Sequence, residues 1–317
     1  MHRHQRGLDR EPDQEGEEDE VRDPAAGRKR ALLLGLAVKT PLVPVHTWLP
    51  PAHADAPAPG SAILAGILLK MGTYGFLRFL LGMLPETFQV YAPFVVLIGV
   101  ISVIYGALAA LAQSDLKRLI AYTSINHMGY IIMAAGAVAM LTRGSELGRS
   151  LAINGAVLQM VSHGLITGSL FLFAGVLWRR AATFEIGAFG GLVQQAPVFA
   201  GAMSLAAFAS LGLPGLSGFV AEFQIFVGTF DIYPLAAAIA LFGIVITAGL
   251  FLWAIQRLFL GPLEPRWSGM ADMALHERLA IFPLLALVIA IGLMPYWILE
   301  VIASFSRSVA QVATATP

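Results

Sequence analysis

From Ala31 onward the chain is a series of apolar runs separated by short polar connections. A helix needs about 20 apolar residues to cross the hydrocarbon core of a bilayer. Eight stretches approach or exceed that length, at roughly 31–52, 61–84, 90–113, 117–142, 150–178, 196–230, 235–260 and 279–303. They predict an all-α polytopic membrane protein with about eight transmembrane helices, two of them discontinuous. Pro41 and Pro44 interrupt the first, because proline removes a backbone donor and clashes with the preceding turn. Pro214, Gly215 and Gly218, within LGLPGLSGF at 211–219, interrupt the sixth. Broken helices at membrane depth are tolerated only where the freed backbone faces protein or a hydrated cavity. A matched pair of them points to a transporter-type site at the bilayer midplane. An ionisable residue stands beside each break, Lys39 at the first and Glu222 at the second.

Depth can be counted along the runs. Lys70 lies nine residues past Ser61, where its run begins, or about 14 Å at 1.5 Å per residue. Half of a hydrocarbon core is about 15 Å, so Lys70 is predicted near the midplane. A bare ammonium there costs at least about 2.5–3.5 kcal/mol on insertion scales, which marks it as functional. By the same count His127 lies about 15 Å into the run from Lys117, and His163 about 20 Å into the run from Ser150. Alone, one buried histidine reads as a satisfied structural residue. A lysine, two histidines and the carboxylate of Glu222 at one level read as a path for protons. Ser124 and Asn126 beside His127, and Gln159 one turn from His163, add donors and acceptors that would hold water.

The chemistry suits that role. A buried lysine whose charge follows the ionisation of a neighbouring carboxylate is a proton switch. Neutral histidine accepts a proton on one ring nitrogen while donating from the other. No His-x-x-His or His/carboxylate pair at ligand spacing lies on one helix, so no metal site is expected. His46, Trp48, His53 and Asp55 flank the first break and read as structural. Asp115, Lys117 and Arg118 read as a charged turn, and Arg257 as a residue that snorkels to the headgroups.

Composition sharpens this picture. Hydrophobic residues make up 57% of the 317 and charged ones only 13%, values that fit a membrane protein. Residues 1–30 hold 7 Lys/Arg and 9 Asp/Glu of the 40 charges, with almost no large apolar side chains. That segment is expected to be a disordered charged tail, followed by a transmembrane domain over 31–305 and a C-terminal tail over 306–317. It is a poor signal peptide, since it is acidic and only eight apolar residues follow before Lys39. With no cysteine there is no disulfide and no thiolate-held iron–sulfur cluster or zinc site, so electron transfer by this chain is not expected. The connections at 114–118, 179–195 and 257–278 carry seven cations against four on the other side, which would place the former in the cytoplasm.

Five long stretches carry a resemblance. They are the run from Lys39 to Arg78 (KTPLVPVHTWLPPAHADAPAPGSAILAGILLKMGTYGFLR), SDLKRLIAYTSINHMGY at 114–130, QMVSHGLITGSLFLFAGVL at 159–177, ASLGLPGLSGFVAEFQIF at 209–226 and QRLFLGP at 256–262. Over about Ala31 to Glu300 the chain resembles the antiporter-like subunits of respiratory complex I, the proton-pumping NADH–quinone oxidoreductase. The glutamate of AEF favours the M type of that family over the L type, which has lysine there, and HER…GLMPYWIL at 276–299 is similar to the M-type C-terminus.

The resemblance implies a fourteen-helix fold with two inverted repeats, of which this chain would hold helices 7–14. Lys39 would match the broken-helix lysine, Lys70 the central lysine, His127 and His163 the linking histidines, and Glu222 the terminal carboxylate. Helices 1–6 have no counterpart here, nor does the helix-5 glutamate that pairs with Lys39 in the family. The expectation is a truncated or split gene product. The implied function is proton translocation coupled to quinone reduction elsewhere in the complex, in a bacterial inner membrane. No cofactor is expected in this chain, with flavin and iron–sulfur clusters carried by partner subunits. The expected partners are the other antiporter-like and quinone-site membrane subunits, the lipid bilayer and a separate chain supplying helices 1–6, with no nucleic acid. The alternatives are a subunit of a multi-subunit cation/proton antiporter or membrane-bound hydrogenase, or a non-functional structural fragment.

Overall fold

The computed structural model of the chain describes residues 24–140 and 143–315. The first broken helix comprises α1 (Pro24–Lys39) and the short α2 (Leu49–Asp55). Then follow α3 (Ala58–Leu81), α4 (Pro85–Leu111), α5 (Leu116–Ala139) and α6 (Glu146–Ala181). The second broken helix comprises α7 (Pro197–Ser210) and α8 (Ser217–Ile232), and α9 (Pro234–Phe259), α10 (Leu275–Leu293) and α11 (Tyr296–Ala315) complete the order. Among the described residues five helices, α3, α4, α6, α9 and α10, are long and apolar enough to cross a bilayer.

α5 falls outside that set because it carries Thr123, Ser124, Asn126, His127 and Tyr130, yet it is buried along nearly its whole length. It is the axis of the bundle, with α4, α6 and α8 packed around it. Small residues let the backbones meet: a Cβ on Gly99 of α4 would lie 2.6 Å from Met133 N, and one on Gly129 of α5 would lie 2.8 Å from Gly99 O. Helix pairs in lipid associate largely through such close contact, since the hydrophobic effect gives them little.

Three features depart from the sequence expectation. The apolar run at 279–303 is two helices, α10 and α11, parted at Met294–Pro295. Proline bars the residue before it from helical backbone, and Met294 sits at φ −133°, ψ 68°. Second, part of the charged segment assigned to 1–30 is helical, because α1 already starts at Pro24. Ala25, Ala26, Arg28, Lys29 and Arg30 are good helix formers leading straight into the apolar run; residues 1–23 lie outside the described residues. Third, the tail assigned to 306–317 continues α11 to Ala315.

The three cation-bearing connections gather at one end. Leu116 N donates to Phe184 O (2.9 Å), Ile186 N to Ser114 O (2.8 Å) and Gly191 N to Leu260 O (3.1 Å). Arg179 and Arg180 of α6 both pair with Glu277 of α10 at 2.8 Å. At the opposite end Asp231 accepts from Ser145 N (2.6 Å) and Ser145 Oγ (2.8 Å).

Candidate functional site

Lys70 points inward from α3, only 7% exposed. Wide π-helical turns at Leu64–Leu68 and Phe76–Leu81 flank its segment of helix. Such turns release backbone groups from the regular ladder and often mark functional positions. Lys70 Nζ donates to Ala65 O in the first of them. It also lies 2.6 Å from His163 Nδ1 on α6. One apolar-run lysine thus finds two buried partners, which offsets its cost in lipid.

His163 and His127 face each other across the α5–α6 contact, with ring centroids 5.2 Å apart. His127 Nδ1 lies 3.1 Å from Gln159 Nε2 and 3.3 Å from Glu222 Oε1. Gln159 Nε2 itself donates to Glu222 Oε1 at 3.3 Å. On the far side of the ring, His127 Nε2 lies 3.2 Å from Ser210 Oγ. The consequence is chemical. Unprotonated, Nδ1 accepts from the Gln159 amide; protonated, it donates to the Glu222 carboxylate. Nε2 meets a hydroxyl that both donates and accepts. Every protonation form of His127 therefore has partners, which is what a proton carrier requires.

These side chains, with Ile166, Thr167, Ala209 and Gly218, border a gap too narrow to admit a water molecule. Glu222 is 4% exposed and stands five residues into α8, directly behind the second break. The break is shaped by glycine. Gly212 has φ +80°, and a Cβ there would come within 2.8 Å of Glu222 Oε2. A Cβ on Gly218 would lie 2.1 Å from Ala209 O, so only glycine lets the start of α8 cross the end of α7. Pro214 and Gly215 (φ +90°) form the turn between them.

Not every expected residue joins this row. Asn126 Nδ2 turns away to Val103 O (2.8 Å), and Ser124 Oγ is 3.4 Å from Ile120 O on its own helix. Lys39 ends α1 half-buried, and the structure gives it no ion pair among the described residues. Its backbone packs on α3, where a Cβ on Gly72 would lie 3.0 Å from Lys39 C. Pro41 and Pro44 lie in the first break as expected. Lys117 is buried rather than part of a solvated turn: Nζ donates to Ala54 O (3.3 Å) and to Ala56 O, and sits 5.3 Å from the Phe184 ring centroid. The sequence gives no sign of Ser210, because a serine at the end of an apolar run carries no periodic signal. Among the described residues no group of three or more His, Asp or Glu is placed to hold a metal.

The family described as NADH:quinone oxidoreductase/Mrp antiporter, TM, matches residues 27–247. The chain belongs to this family. It is 43% identical over 272 residues to NADH-quinone oxidoreductase subunit M of Rickettsia prowazekii (strain Madrid E), which covers 86% of this chain and 53% of that protein. It is 41% identical over 273 residues to the protein of the same name from Rhodobacter capsulatus, covering 86% of this chain and 51% of that protein. The chain thus spans about half the length of these relatives. Among solved structures it is similar to a chain of respiratory complex I from Thermus thermophilus with bound NADH. There the TM-score is 0.81 at 32% identity, over 90% of this chain and 58% of that one. A chain of the Mrp complex from Dietzia sp. DQ12-45-1b shares the fold, with a TM-score of 0.80 at 19% identity, over 93% of this chain and 62% of that one. The antiporter-like, all-helical membrane fold expected from the motifs is therefore the fold of this family member, and all five positions of the row and Ser210 fall within the matched residues.

Proposed function

We propose that the chain is a proton-carrying membrane subunit of an NADH–quinone oxidoreductase, in a bacterial inner membrane. The observation that supports this best is the buried row Lys70–His163–His127–Gln159–Glu222, polar contacts at every step but the middle one, where the two imidazole rings lie 5.2 Å apart between α6 and α5. Lys70 is the central relay, the two histidines pass the proton on, and Glu222 is the exit group. Lys39 is the switch once a carboxylate from another helix or chain stands beside it. Quinone reduction in partner subunits, which hold the flavin and iron–sulfur clusters, drives the charge changes. The cation-rich end faces the cytoplasm.

Lys70→Ala or Glu222→Ala is expected to abolish proton pumping while the complex still assembles. A wild-type proton-to-electron ratio in either variant would refute the reading. A cation/proton antiporter or hydrogenase subunit is the second reading, because the family's description names both quinone oxidoreductases and Mrp antiporters. The genes beside this one separate the two readings: quinone-reductase subunits support the first, antiporter or hydrogenase subunits the second.

A further inference from the structure

Two hollows open on the seam between α3 and α6, outside the row described above. The first, at the cation-rich end, is a cleft of about 450 Å³ that holds Asp55, Lys117, Arg179 and the rings of Trp178 and Phe184. The second is an apolar groove of about 400 Å³, lined by Ala62, Ile63, Gly66 and Ile67 of α3 and by Gly164 and Gly168 of α6. Their spacing makes them one surface. Ala58 of α3 and Leu172 and Gly175 of α6 also line the cleft. On α6, Gly164, Gly168, Leu172, Gly175 and Arg179 follow at steps of three or four residues, and on α3 Ala58, Ala62 and Gly66 follow at steps of four. Residues so spaced share a helix face, so the groove continues the cleft toward the midplane along the same two helices. Gly66 stands eight residues past Ala58, about 12 Å deeper at 1.5 Å per residue.

The cleft carries charges that the protein leaves open. Lys117 is only 2% exposed, and it has no ion pair among the described residues. Its Nζ spends two N–H donors on Ala54 O and Ala56 O, and an ammonium has three. A buried cation without a counter-charge is costly, and an anion seated in the cleft removes that cost. Asp55, exposed on the same cleft, has no ion pair among the described residues either. Its place is fixed by its neighbour but one: the ring of His53 is fully buried and stacks on Phe171 of α6, with centroids 4.3 Å apart. Arg179 is held by Glu277 at 2.8 Å and adds a second cation. Trp178, 47% exposed, stacks on Phe184 with centroids 4.6 Å apart. Tryptophan collects at the level of the lipid headgroups.

We propose that the cleft and the groove together bind one phospholipid with an ethanolamine headgroup. Its phosphate sits on Lys117, its ammonium on Asp55, and one acyl chain lies in the groove between α3 and α6. The remaining N–H of Lys117 donates to a phosphate oxygen, and the lipid ammonium donates to the Asp55 carboxylate, both as charge-assisted bonds. A headgroup that is only anionic would bring its charge beside Asp55 with nothing to offset it. An apolar helix from a neighbouring subunit would fill the groove but leave the charges of the cleft unanswered. A charged cleft directly above an apolar groove matches an amphiphile in both parts. The site needs only the membrane placement of the chain and takes no part in moving protons.

The test places the assembled complex in vesicles of phosphatidylethanolamine and phosphatidylglycerol that contain a phosphatidylethanolamine with a photoreactive group on one acyl chain. After illumination the labelled peptides are mapped by mass spectrometry. Label is expected within 62–67 and 160–168, the segments that line the groove. It is expected to fall about fivefold or more in Asp55→Asn and in Lys117→Met, as loss of one charge-assisted contact implies, and to persist in Lys117→Arg. At a fixed share of probe, more unlabelled phosphatidylethanolamine should lower the label and more phosphatidylglycerol should not. Equal label in wild type and both neutral variants would overturn the proposal, because it means bulk lipid only. Equal competition by phosphatidylglycerol would overturn the ethanolamine assignment, and absence of label from both segments would mean that another helix covers the groove. Should Lys117→Met fail to assemble, Asp55→Asn decides, since its side chain is exposed. None of these outcomes bears on the pumping variants of Lys70 and Glu222, so the two readings fail separately.

Discussion

At the second break the chain turns between α7 and α8, and both sides of the turn touch the buried row. Ser210, the last residue of α7, lies against His127 Nε2, and Glu222 of α8 lies against Nδ1 of the same ring. At the first break the freed groups are satisfied by α1 itself and by α4. Thr40 Oγ1 donates to Leu36 O (2.7 Å), Val43 N to Ser102 Oγ (3.1 Å) and Trp48 Nε1 to Val38 O (2.9 Å). Lys39 has no ion pair among the described residues. Both breaks answer the same demand, that backbone polar groups in lipid find partners. Only at the second do side chains flanking the break meet a titratable ring of the row. A break beside an ionisable residue is therefore a sign of function, and contact with the row makes it part of the path.

That contrast can be broken in several places. The largest effect is expected from Gly218→Val, whose Cβ would lie 2.1 Å from Ala209 O. Overpacking of this kind costs about 1–3 kcal/mol or more, enough to lower the amount of assembled chain several-fold. Immunoblots of native gels would show it, and wild-type abundance would mean that the crossing of α7 and α8 is looser than described. Next comes Ser210→Ala, which takes the hydroxyl from His127 Nε2. Pumping should fall two- to tenfold in vesicles with assembly intact; no change would remove Ser210 from the site.

Smaller effects belong to the first break. Lys39→Ala should reduce pumping less than Lys70→Ala does in the same membranes. Equal losses would make the two breaks alike in function. Ser102→Ala removes one bond to Val43 N, at a cost of about 1 kcal/mol. It should leave pumping unchanged, and a pumping defect at normal abundance would tie the first break to the path.

Much of this was legible in the residues. Counting 1.5 Å per residue brings Lys70, His127 and His163 to similar depth without reference to any contact, and prolines and glycines locate both breaks. Gln159 was found as a neighbour of His163 one turn away, although its hydrogen bonds run to His127 and Glu222. Depth is one coordinate of three. It gave no facing, so Ser124 and Asn126 were expected beside the row while their side chains serve α5 and α4 backbone. It gave no burial for Lys117 or His53 either, because both are set by the return of α2 and α3 against α5 and α6. The split of the last apolar run rests on one residue, Pro295, whose effect an unbroken hydropathy pattern hides.

The most direct test of the row is the proton-to-electron ratio of the complex carrying Glu222→Gln, reconstituted in tight vesicles. The amide keeps the shape of the carboxylate and its place beside His127 and Gln159 but holds no proton to release. The ratio is expected to fall as far as in Lys70→Ala, with NADH oxidation retained. A wild-type ratio in Glu222→Gln would contradict the assignment of a proton-carrying role to this chain's buried side chains.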